Sequence, residues 1–112
     1  MKPRFYFQTS HFQGEAWLEF GTYPNDRLAI TLQDREGVIM KITLNLPEVK
    51  LKPNQIIIKD YSENSGIYLA LARLGLITTT ELTIPLSPFA EARIAETTPL
   101  LMELFEEQVV NS

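Results

Sequence analysis

Asp60, Ser62 and Asn64, in the stretch "KDYSENSG", set oxygen-bearing side chains on alternate residues, the spacing at which a calcium loop presents its first three hard ligands. Such a loop also needs glycine at its sixth position for a sharp turn and a bidentate glutamate at its twelfth. Ser65 and Leu71 stand there instead. Cation binding would lack its strongest ligand. The same residues suit a structural role, in which Ser62, Asn64 or Ser65 accepts from the free amides that open a helix, while Asp60 and Glu63 complement the positive end of its dipole. Helix capping is the expectation, and the alternative is a cleft for a small molecule or nucleotide at the strand-to-helix junction, formed by Tyr61 and Asn64.

Other chemistry is thinner. Glu15 and Glu19 flank Trp17 on one face of a strand-like run, and an indole beside a glutamate can raise its proton affinity by desolvation. A solvated outer strand face produces the same spacing. His11 is the single histidine and there is no cysteine, so a zinc site would have to gather carboxylates around one imidazole. None of Ser10, Ser62, Ser65 and Ser87 lies in a nucleophile-elbow context that would use His11 as base. The five glycines are too scattered for a phosphate-binding loop. No catalytic, cofactor-binding or metal-binding residue is therefore assigned, and the chain is read as a non-enzyme, with an enzyme of unknown reaction as the third alternative.

The elements that would position these residues follow from hydrophobic period. Residues 38–46, VIMKITLNL, put Val38, Met40, Ile42, Leu44 and Leu46 on one face; RLAITLQ does the same with Leu28, Ile30 and Leu32. DREG between them is a hairpin connection. RFYFQT and EAWLEF are strands upstream, QIIIK is a fifth, and ELTIPL, with Pro85 inside it and Pro88 after it, is an edge strand or strand end. Between the last two, Ile67, Ala70, Leu71 and Leu74 fall at helical spacing, Leu69 and Ala72 widen the stripe, and Gly75 is placed to end the helix in the left-handed conformation. Thr97-Thr98-Pro99 opens a second helix whose stripe is Leu101, Leu104, Phe105 and Val109. The expectation is a single α+β domain over 1–112: an antiparallel meander of five to six strands, packed on one face by a short central helix and a carboxy-terminal helix over 96–112.

Net charge is −4, and all of the excess lies in residues 96–112, which carry Glu96, Glu103, Glu106 and Glu107 and no lysine or arginine. No basic stripe is available for a phosphate backbone, which argues against nucleic acid as partner. Absence of cysteine suggests an intracellular, cytoplasmic setting, and no apolar run is long enough to span a membrane. Seven of the eleven aromatic residues fall in the first 23, with Phe5, Phe7 and Phe20 expected inward and Tyr6 and Trp17 outward. Exposed rings of that kind anchor protein interfaces. Tyr6 and Trp17, together with Glu103, Glu106 and Glu107 on the acidic helix, are the candidate protein-binding residues, and the last helix docks either on its own sheet or on a second copy as a homodimer.

The stretch "NDRLAITLQDREGVIMKITLNLP", 25–47, resembles the hairpin of domain-of-unknown-function family 4313, small proteins of bacterial phages and other mobile elements. The match rests on Arg27, Leu28, Ala29, Ile30, Leu32, Asp34, Gly37, Leu44, Asn45, Leu46 and Pro47. "IIIKDYSENSGIYLALARLGLI" is similar to that family's strand, polar turn and helix. "IPLSPF" replaces the family's usual tyrosine-proline ending, and the aromatic first segment and acidic last one lie outside its pattern. The resemblance implies no catalytic residue. It shifts the expectation toward an accessory protein of a mobile element in a bacterial host cell, and the leading expectation is a non-enzymatic protein that acts by binding another protein, with a host defence component as one candidate.

Overall fold

The computed structural model describes residues 2–110, Val110 by its backbone alone; residues 1, 111 and 112 of the expected domain lie outside the described ones. The α+β class follows the hydrophobic periods, but the strands form two antiparallel sheets. β1 (Phe5–Gln8), β2 (Gln13–Thr22), β3 (Leu28–Asp34) and β4 (Gly37–Lys41) make the predicted meander in the order β1-β2-β3-β4. β5 (Gln55–Ile58), β6 (Ile77–Ser87) and β7 (Ala90–Thr97) make a second sheet in the order β5-β7-β6. The sheets meet where Thr43 bridges Ile58, with Leu44 N donating to Ile57 O at 3.0 Å and Lys59 N to Ile42 O at 2.8 Å. Thr43 pins this seam from within, since its buried hydroxyl accepts from Ile30 N and pairs with the Tyr23 hydroxyl, both at 3.0 Å.

β7, which the sequence reading assigns to no element, is the centre of the second sheet. Its AEARIAET has few of the β-branched and aromatic residues that mark strands. Buried Ala92 and Ala95 carry no signal of their own, yet they are what a central strand tolerates when larger groups cross it. β4 also departs from plain alternation. Its register against β3 shifts between Leu32↔Met40 and Gln33↔Val38, so one β4 residue is extra and the faces exchange across it. Met40 is buried, and Val38, expected beside it, is 61% exposed.

α1 (Ile67–Arg73) ends as Gly75 predicts, at φ +75°, with Leu76 N donating to Leu71 O and Gly75 N to Ala72 O. Its buried face is Ile67, Tyr68, Ala70 and Leu71; Leu69 points to solvent, and Tyr68 takes the inward place. Gly66 precedes it at φ +99°, where a Cβ would lie 3.1 Å from Ser10 N and 3.2 Å from the Thr9 Cα, so only glycine lets the β1–β2 loop sit on the helix start. α2 (Pro99–Phe105) begins later than expected because β7 runs to Thr97. Thr98 caps it, accepting from Leu101 N at 3.3 Å. The chain then widens into a π-helical turn, Glu106–Val110, which displaces Val109 from the stripe and leaves it exposed. Core residues from both sheets (Phe7, Leu18, Leu32, Ile42, Ile56, Ile58) meet those of both helices in one cluster.

Candidate binding surfaces

The polar cluster ahead of α1 is built as a helix start, although the capping residue is not one of those expected. Asp60 Oδ1 accepts from Gly66 N at 3.0 Å and from Tyr68 N at 3.1 Å, reaching six and eight residues along the chain. Ser62, Asn64 and Ser65 do not cap it. Arg93 stacks its guanidinium 4.0 Å from the Tyr68 ring centre, and one of its nitrogens stands 4.0 Å from Asp60 Oδ2. The Tyr68 hydroxyl accepts from Thr80 N at 2.8 Å and lies 3.2 Å from the carbonyls of Thr80 and Ile94, filling the irregularity in the β6–β7 ladder between Thr79 and Thr83. Among the described residues no group of three His, Cys, Asp or Glu side chains could hold a metal ion.

Asn64 is fully buried, its Nδ2 donating to Lys41 O at 2.5 Å and its Oδ1 without a partner among the described residues. The junction therefore presents Tyr61 to solvent but not Asn64. Tyr61 is half-buried beneath the Lys59 ammonium, 5.5 Å from its ring centre. Lys59 also pairs with Glu63 at 2.6 Å, and this contact holds the exposed Glu63 carboxyl below the usual glutamate range, with the Glu63 backbone amide adding to the effect.

Tyr6 and Trp17 point outward from β1 and β2 as predicted, but unequally. Tyr6 is 53% exposed and its hydroxyl accepts from Gln13 Nε2. Trp17 is half-covered by Arg4, whose guanidinium lies 5.3 Å from the indole centre, and its Nε1 donates to Glu19 Oε1 at 3.0 Å. Lys2 pairs with the same carboxylate oxygen, so Glu19 is a partnered anion and not an isolated one. Glu15 and His11 are exposed. Glu103, Glu106 and Glu107 are also exposed, but on a helix that packs against the other face of β2, where Phe105 meets Phe20 edge-on at 6.0 Å. The aromatic patch and the acidic helix are thus two separate surfaces. The apolar face of α2 is spent on its own chain, with Leu101 and Leu104 buried in the core.

Two features escape the sequence reading. The first is the arm formed by β6 and the start of β7. Phe89, in its turn, is 96% exposed, and Leu82 and Leu86 on β6 are 51% and 39% exposed. The available signal is "PLSPF", two prolines with Leu86 between them and Phe89 after them; the prolines read as a strand end because they cannot donate to a ladder. The second is a groove of about 510 Å³ between α2, the Thr22–Leu28 connection and the turn before β5. Its floor is apolar, with Leu28, Leu51, Ile56, Met102 and Phe105, while Arg27 and Lys52 stand among its walls. Arg27 is held there by donating to Leu46 O at 2.8 Å and to Val49 O. Among the described residues no helix is long and apolar enough to cross a membrane. Comparisons of the chain with protein-family models, with curated proteins and with solved structures find no match.

Proposed function

We propose that this chain is a non-enzymatic binding protein that acts by docking on another protein, and that the β6–β7 arm is its principal contact. The observation that carries the reading is Phe89, which stands almost wholly in water at the turn of a hairpin that also exposes Leu82 and Leu86. A large ring held clear of its own core contributes little to folding, whereas aromatic residues, phenylalanine included, are enriched in protein interfaces. Tyr6 and the half-covered Trp17 form a secondary patch. The partnered state of Glu19 favours interaction over acid/base chemistry at that patch.

The resemblance of residues 25–47 to a mobile-element family supports a bacterial cytoplasmic setting and a host protein as target, with a defence component among the candidates. The test is capture of a host protein by the tagged wild-type chain, compared with Phe89→Ala and Trp17→Ala. We expect Phe89→Ala to lose the partner without lowering Tm. Turnover of any substrate that disappears on removal of Glu15, Glu19 or His11 would replace this reading with an enzymatic one.

A further inference from the structure

We infer that the arm of one copy docks in the α2–β5 groove of a second copy of this chain, giving self-association. The inference rests on reading the arm as a binding element and names what it binds. Geometry supplies the first argument. Thr97 lines the groove at one end of β7, and Phe89 adjoins Ala90 at the other. Seven residue steps of extended chain separate the ends of this strand by roughly 23 Å. A rigid strand thus keeps the ring away from its own groove, and only another copy can bring the two together.

Charge supplies the second. From Leu74 to Ala92 the chain contains Glu81 and Glu91 and no lysine or arginine, and Glu91 lies beside Phe89 at the tip. The groove wall carries Arg27 and Lys52, neither with a carboxylate partner among the described residues, against the single anion Asp26. An acidic apolar knob and an apolar hollow with a cationic excess are complementary in both respects. At about 510 Å³ the hollow is in the range of small-molecule pockets and has room for the Phe89 ring together with a neighbouring side chain of the arm. Knob and hollow are different surfaces, so each copy offers one of each: copies build an open row, close into a ring, or exchange arms reciprocally about a two-fold axis.

Sedimentation of the purified full chain from micromolar to millimolar concentration tests this. The average mass should rise with concentration, and Phe89→Ala should remain monomeric throughout with an unchanged Tm. Glu91→Lys and Lys52→Glu should each raise the concentration for half-assembly roughly tenfold, and the double variant should recover it, because each site would then meet its reversed partner. A wild-type chain that stays monomeric over the range overturns the inference, as does assembly that survives Phe89→Ala or fails to respond to either charge reversal. A monomeric wild type that still loses a purified host partner on Phe89→Ala would sink self-association alone and leave the binding reading standing.

Discussion

The free edges of β2 and β6 are finished in opposite ways. β1 covers β2 only as far as Ala16, and beyond it the exposed edge is sealed by one side chain from the far end of the chain: Gln108 Nε2 donates to Leu18 O at 2.5 Å, and its Oε1 accepts from Phe20 N at 3.1 Å. That amide does what another strand residue would do. Asn64 does half as much for Lys41 O beside β4. On β6, the longest described strand, Tyr68 and Thr80 fill the irregularity on the side paired with β7, Leu82 N donates to Thr80 Oγ1 at 3.1 Å, and Pro85 has no N–H to offer a further strand. In the body, the open stretch of β2 is matched by an amide side chain and Phe20 beside it is covered by Phe105. In the arm, large apolar groups are left in water. The difference separates residues that hold the fold from residues available to a partner.

The largest effect is expected at Tyr68, where body and arm join. Its ring is fully buried, its hydroxyl satisfies the irregular turn of β6, and Arg93 stacks on it. Tyr68→Ala should cost about 3–5 kcal/mol, read as a fall in the denaturation midpoint, and should unfasten the arm from α1. Tyr68→Phe keeps the ring and strands the Thr80 amide, with an expected loss of about 1–3 kcal/mol. If the two variants proved equally mild, the arm would not be anchored here. Gln108→Ala comes next: it exposes or strands Leu18 O and Phe20 N together, and we expect about 1–2 kcal/mol and faster amide exchange at Phe20. Phe89→Ala probes the contrast from the other side, since its expected effect on stability is within about 0.5 kcal/mol despite removing an entire aromatic ring.

These sites also mark what hydrophobic period can and cannot convey. Leu28, Ile30 and Leu32 are legible because β3 buries one face and alternation records that. Gly75 and Thr98 are legible because end-of-helix chemistry is local. β7 is not, because a central strand of alanines takes its identity from neighbours far away in sequence. Asp60 reads as a partner of the dipole when it in fact supplies the cap, since reaching Gly66 and Tyr68 requires the intervening 3₁₀ turn at Ser62–Asn64, which no spacing rule anticipates. Gln108 reads as one more polar residue on an acidic helix until β2 is placed under it. The arm is hidden for the opposite reason: burial is the default for Leu82, Leu86 and Phe89, and their exposure contradicts the rule by which strands are recognised.

Lys59 and Glu63 give the smallest effect and the most direct reading of charge in the body. Their contact spans one turn at the surface, and the fully exposed Glu63 gains from it a carboxyl that releases its proton more readily than a free glutamate. A carboxyl whose pKa is depressed by folding contributes its stability in full above the unfolded value of about 4.3, where the unfolded chain is also ionised. As pH falls through the lowered folded value, that contribution disappears. Lys59→Met should therefore move the Glu63 midpoint upward toward the ordinary range, followed by the carbon shift of its carboxyl in an NMR titration. Stability at neutral pH should barely change, because water and salt screen an exposed pair. The variant also removes the ammonium that lies over Tyr61, so a simultaneous shift in the Tyr61 ring resonances would confirm that one lysine serves both contacts. An unmoved Glu63 midpoint would mean that the backbone amide, and not Lys59, sets its proton affinity.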